Sequence, residues 1–108
     1  MGEGKVRGRG IGKGKVRGKV RVILHARDFG KMRKGEILVT YDTNPEFLLI
    51  LRKMKAIVTD NGGISCHAAI IAREFNVPAV VGTRFASQVF KDGDLVEVDA
   101  SKGVVRKL

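Results

Sequence analysis

From Lys15 onward the chain alternates. Val16, Val20, Val22 and Leu24 share one parity, and Lys15, Arg17, Lys19 and Arg21 occupy the other. A period of two predicts a strand with one buried and one cationic face. Gly18 interrupts the apolar row and reads as a bulge. The segment Gly4-Lys5-Val6-Arg7-Gly8 returns as Gly14-Lys15-Val16-Arg17-Gly18. That spacing is too short for helical repeat arrays and suits two glycine-punctuated extended pieces.

Residues 26–34 are polar and read as a connection. Apolar runs at 35–40, 56–59 and 79–81 predict short strands buried on both faces. After the first run, Asp42-Thr43-Asn44-Pro45 predicts a turn into a helix, with Asn44 as N-cap and Pro45 at the first helical position. That helix is expected over 45–53, with Phe47, Leu48, Ile50 and Leu51 inward. A second helix is expected over 67–75, its core stripe formed by Ala68, Ile71, Ala72 and Phe75, and Asn76-Val77-Pro78 stops it. Residues 86–90 form one or two helical turns. Alternating runs at 95–99 and 104–107, joined by Ser101-Lys102-Gly103, predict a hairpin. The sum is a mixed α/β domain with a buried central sheet, flanking helices and a peripheral β-hairpin. No linker divides it, so 1–108 reads as one domain.

Composition refines this picture. The 108 residues are 44% hydrophobic, which supports a globular core. No apolar run approaches the roughly 20 residues of a membrane span. The N-terminus lacks a signal core, and the single cysteine, Cys66, suits a reducing compartment, so the cytoplasm is expected. One Cys and two His make a zinc site poorly supported, and no metal site is expected. The net charge is +10, and residues 1–22 carry eight Lys/Arg against one acid. This basic, glycine-rich segment reads first as a solvated strand edge. An anionic partner, either nucleic acid or an acidic protein face, is the alternative. Five Phe and one Tyr, none within the basic run, count against base stacking.

The densest chemistry is the run Thr59-Asp60-Asn61-Gly62-Gly63-Ile64-Ser65-Cys66-His67-Ala68-Ala69-Ile70. A glycine bend leads from a strand to a helix that opens on histidine. Helix N-termini offer unpaired N–H groups and favour anions. A neutral imidazole is a competent nucleophile near pH 7. Phosphoryl transfer to its ring nitrogen needs mainly positioning and charge stabilisation. Gly62 and Gly63 let the backbone approach an anion, and the N–H groups of Cys66, His67 and Ala68 are expected to face it. Ser65 adds a hydroxyl and is the expected N-cap. Adjacent residues rarely form a Cys–His nucleophilic pair, so Cys66 reads as packing. Arg73 is expected in an ion pair with Glu74 or Asp60. His25 reads as exposed and without a role.

Thr59 through Gly82 resembles the signature of the phosphohistidine (swivelling, or mobile) domain of PEP-utilising enzymes, and is most similar to the form in phosphoenolpyruvate synthase. The carrying strings are the Gly-Gly pair, Cys-His-Ala-Ala-Ile, Ala-Arg-Glu and Pro-Ala-Val-Val-Gly. Outside it, Thr43-Asn44-Pro45 resembles the family's Thr-x-Pro turn, Asp92-Gly93-Asp94 its closing turn and residues 14–22 its opening strand. The resemblance implies a swivelling β/β/α fold with His67 as the phosphorylated histidine. It implies a phosphate site shaped by Gly62, Gly63, Ser65, Cys66 and Ala68, approached by Thr43. It also implies ATP-binding and PEP/pyruvate-binding partners that bring ATP and Mg2+, with no cofactor bound by this domain. Ser65 stands where the family carries a regulatory threonine. A phosphate there would add roughly −2 charge and block loading; the plain helix-cap reading stands beside it. The chain contains neither a P-loop string nor a barrel, so it is expected to act as a stand-alone phosphocarrier that does not turn over alone. A subunit of a split synthase, and a non-catalytic binding module that uses the basic segment, stay open.

Overall fold

The computed structural model describes residues 4–108. The first three residues of the basic N-terminal segment lie outside the described residues. Among the described residues eight strands form: β1 (Lys5–Arg7), β2 (Arg9–Ile11), β3 (Lys15–Val22), β4 (Glu36–Thr40), β5 (Met54–Thr59), β6 (Ala79–Val81), β7 (Leu95–Asp99) and β8 (Val104–Lys107). Their order across the sheet is β1-β8-β7-β3-β4-β5-β6-β2. Strands β3 to β6 run parallel to one another, while β1, β8, β7 and β3 pair antiparallel, as do β2 and β6. Only Gly8 separates β1 from β2, which sit at opposite ends of that order, so the sheet closes into a barrel. Two α-helices, α1 (His67–Phe75) and α2 (Ala86–Val89), and two 3₁₀ helices (Ala26–Lys31 and Pro45–Lys53) complete it.

Closure divides the core in two. Val6, Val20, Ile37, Val39, Ala56, Val58, Val80, Val96, Val98 and Val105 fill the interior with Phe90 from beyond α2. Ile11, Ile23, Leu38, Ile57 and Val81 face outward, under α1 and both 3₁₀ helices. Alternation therefore buries both faces of β4, β5 and β6, as their uninterrupted apolar runs require. The hairpin β7–β8 joins the sheet between β3 and β1.

Several local expectations are corrected. Residues 26–31 form a 3₁₀ helix, anchored by buried Phe29, rather than a bare connection. Leu24 is exposed and Ile23 buried, because β3 ends at Val22 and the alternation ends with it. Gly18 is not a bulge, since its pairing with Val96 is in continuous register. Its missing side chain instead makes room for Ile37, which a Cβ there would meet at 3.2 Å. The helix Pro45–Lys53 begins as expected, with Asn44 accepting from the Glu46 N–H, but it is 3₁₀. Three residues per turn stack Phe47 on Ile50 and turn Leu48 out to solvent. In α1, Ala69 is buried while Phe75 is exposed, the apolar face having drifted by the last turn.

A partly buried ion cluster ties β3 to the start of β4. The Arg21 guanidinium holds Glu36 through two bonds, of 3.1 and 2.9 Å, and reaches Asp92 at 3.4 Å. The Arg33 N–H adds a 2.7 Å bond to Glu36. Burial pushes the Glu36 carboxyl up, but these donors outweigh it and hold it below the usual carboxylate range. Glu97 is also held low, chiefly by the bond from Arg17. A depressed carboxylate contributes stability above its unfolded pKa, about 4.3, and loses it as pH falls through the folded value. Urea midpoints are therefore expected to drop between pH 6 and pH 3. Glu36→Gln should cost about 2 kcal/mol at pH 6 and flatten that dependence. An unchanged slope in the variant would contradict the assignment.

Candidate functional site

The parallel strands β4, β5 and β6 end together, and the three loops beyond their carboxyl ends build the site, the usual location in sheets of this kind. The loop after β5 is the glycine run. Gly62 adopts φ +108°, a conformation that favours glycine, and a Cβ there would stand 2.7 Å from the Cys66 Sγ and 3.0 Å from its Cβ. Glycine thus lets the loop fold back on the first turn of α1. Gly63 has open space around its Cα and stays exposed. Its carbonyl accepts from the Cys66 N–H at 3.1 Å.

That bond, and the cap itself, correct two expectations. Cys66, not Ser65, is the N-cap of α1: its Sγ accepts from the Ala69 N–H at 3.4 Å and its carbonyl from the Ile70 N–H. Ser65 is exposed and lies one residue too early to reach the third helical N–H. Because the Cys66 N–H is used within the loop, the free donors at the helix start, among the described residues, are those of His67 and Ala68. Ala68 is itself fully buried.

His67 is the first residue of α1 and is half-buried. The loop after β4 reaches it directly: Thr43 Oγ1 lies 2.9 Å from His67 Nδ1. Thr43 is buried, and the preceding Asp42 side chain holds it, its Oδ1 accepting from the Thr43 N–H at 2.9 Å. Asp42 also accepts from the Asn61 side chain at 3.4 Å, which links the β4 loop to the glycine loop. In the sequence Asp42 reads only as a turn residue; the signal of its wider role is an Asx residue just before the threonine. The loop after β6 completes the frame. Thr83 donates its N–H and its hydroxyl to the Thr59 carbonyl, both at 3.0 Å, and Gly82 donates to the Asn61 carbonyl at 3.3 Å. Asp60 accepts from the Ser87 N–H at 2.8 Å and from the Ser87 hydroxyl.

The structure thus brings Thr43, Gly62, Cys66, His67 and Ala68 together and leaves Ser65 and Gly63 exposed at the rim. The expected ion pairs of Arg73 do not form: Asp60 is committed to Ser87, and Arg73 is exposed. His25 is exposed, as expected. Among the described residues no three His, Cys, Asp or Glu side chains group as a metal site, and no helix is long and apolar enough to cross a membrane.

Comparison with known proteins finds relatives in sequence and in fold. A family model described as "PEP-utilising enzyme, mobile domain" matches residues 32–103. A probable phosphoenolpyruvate synthase of Archaeoglobus fulgidus is 49% identical over 105 residues, covering 95% of this chain and 14% of that protein. The chain therefore spans a small part of that relative's length. Among solved structures, an Enzyme I fragment (nEIt) superposes with a TM-score of 0.64 at 30% identity, over 74% of this chain and 33% of that one. Aconitase X of Thermococcus kodakaraensis superposes with a TM-score of 0.72 at 25% identity, over 96% of this chain and 98% of that one. The barrel thus recurs in a protein with a different name, and function rests on the site rather than the fold.

Proposed function

The chain belongs to the PEP-utilising enzyme mobile-domain family and is a phosphohistidine-type domain, and from that premise we propose that it carries a phosphoryl group on Nε2 of His67. The observation that carries this reading is the 2.9 Å contact between Thr43 Oγ1 and His67 Nδ1. With Nδ1–H donating to the threonine oxygen, the proton stays on Nδ1 and the lone pair on Nε2. Nε2 attacks a phosphorus of the donor. The N–P bond forms, the P–O bond to the leaving group breaks, and its electrons leave with that oxygen. The ring's positive charge is shared with Thr43 through Nδ1–H. The positive end of α1 and the His67 N–H favour the incoming phosphoryl oxygens. In the second half an acceptor oxygen attacks the same phosphorus, and the N–P electrons return to Nε2.

The donor is an ATP-binding protein or domain and the acceptor a pyruvate/phosphoenolpyruvate-binding one, with Mg2+ arriving alongside the nucleotide. This chain supplies the carrier, either as a separate protein or as part of a larger one. Ser65, exposed beside the site, is where a regulatory phosphate would repel the incoming group.

Incubation with labelled ATP or phosphoenolpyruvate and native extract tests the reading. An acid-labile, base-stable label on the chain is expected; an acid-stable label would overturn it. Thr43→Val removes the Nδ1 partner. It should slow loading about 30-fold, the equivalent of about 2 kcal/mol, while Thr43→Ser restores it.

A further inference from the structure

Strands β1, β8, β7 and β3 are neighbours in the sheet and turn charged side chains outward. Strand register places Lys5, Arg106, Glu97 and Arg17 side by side across β1, β8, β7 and β3, and places Arg7, Val104, Asp99 and Lys15 in the next outward-facing row. The intervening row, Val6, Val105, Val98 and Val16, points into the core. The outward rows other than Arg17, with Lys102, line an open cavity of about 350 Å³.

Charge on this face is striped. Glu97 and Asp99, 6% and 7% exposed, form a recessed acidic line along β7. Glu97 is bridged by Arg17 and Arg106, each at 3.1 Å, which orients both guanidinium groups above it. Lys5, Arg7, Lys15 and Lys102 have no ion pair among the described residues. The Asp99 carboxylate accepts only the Lys102 N–H, at 3.0 Å, among the described residues. Six cations stand against two carboxylates, leaving the face at +4.

We propose that this face is a docking surface for an acidic protein segment, distinct from the His67 site. Two cation lines, on β1/β8 and on β3, flank one acid line, with adjacent strands about 4.8 Å apart. A protein surface can set carboxylates against the cations and a hydrogen-bond donor against Asp99. A nucleic acid strand presents phosphate everywhere, meets repulsion along β7 and finds no aromatic ring here to stack on.

The test uses the whole chain labelled with 15N. An octaglutamate peptide and an oligothymidylate of equal charge are titrated separately at 50 and 200 mM salt. The peptide is expected to shift amides of β1, β3, β7, β8 and the turn at Lys102, and to bind at least as tightly as the oligonucleotide. The variant Lys5→Glu/Arg7→Glu/Lys15→Glu should bind the peptide at least tenfold more weakly. A variant of equal charge change elsewhere, Arg52→Glu/Lys53→Glu/Lys55→Glu, should bind it within twofold of the native chain. Tighter binding of the oligonucleotide overturns the proposal in favour of a nucleic-acid surface. Shifts scattered over the other basic residues, or equal losses in both variants, reduce the face to solvated charge. Because His67 loading is not measured, the result is independent of the carrier reading.

Discussion

Replacing His67 with alanine is expected to abolish phosphoryl uptake, lowering the label at least 10³-fold, while leaving the barrel folded. The side chain is half-buried, its backbone begins α1 without a special conformation, and alanine is the best helix former. Among the described residues the imidazole makes one hydrogen bond, to Thr43 Oγ1, so its removal should cost only about 1 kcal/mol of stability. No neighbour can take over. The nearest hydroxyl, Thr43, is buried and lacks a base, and Cys66 Sγ faces the Ala69 N–H as a helix cap. Quantitative labelling, together with a urea midpoint, separates loss of the nucleophile from loss of the fold. Retained label in a folded His67→Ala chain would mean that another group is the acceptor.

The largest effect on stability is expected far from the site, at Gly10. A Cβ on Gly10 would overlap the Ala100 carbonyl oxygen and stand 2.9 Å from its carbon and 3.1 Å from the Gly103 N. These are backbone atoms of the β7–β8 turn, which cannot step aside as a side chain can. The strand β2 runs here between β6 and that turn, and Gly8 donates to the Gly103 carbonyl at 2.9 Å to hold the closure. Gly10→Ala should therefore cost about 3 kcal/mol or more, a large part of the 5–15 kcal/mol that stabilises a domain of this size. Thermal denaturation reads it directly. A midpoint within 2 °C of the native chain would show that the barrel does not close as described.

Gly10 also shows where the sequence is silent. Strands β4, β5, β7 and β8 and helix α1 are readable because each carries a local pattern: a continuous apolar run, a clean alternation or a 3.6-residue stripe. Closure of the barrel carries none. It depends on contacts between β1/β2, β6 and the β7–β8 turn, far apart in the chain, and its only trace is glycine where a side chain would not fit. The 3₁₀ form of Pro45–Lys53 is hidden because Phe47 and Ile50 satisfy three- and 3.6-residue periods alike over so short a span. At the site, His67 and the glycine pair stand out because their order along the chain already resembles a known signature. The sequence brings Thr43 toward the site, and the structure sets it against His67, 24 residues away. The cap is misread from sequence because serine outranks cysteine in N-cap preference, whereas here the tight turn at Gly62 seats Cys66 against the helix end. The charge stripes across β1, β8, β7 and β3 need the register. The near-repeat around Val6 and Val16 marks two strands that flank the same hairpin.

The position of the phosphoryl group decides whether His67 is the carrier. The chain is loaded with native extract and its labelled donor, then analysed by 31P and 15N NMR with mass spectrometry of its peptides. One phosphoramidate is expected, on Nε2 of His67, with Nδ1 still protonated beside Thr43. Phosphate on Nδ1, on Ser65 or on any residue other than His67 would contradict it.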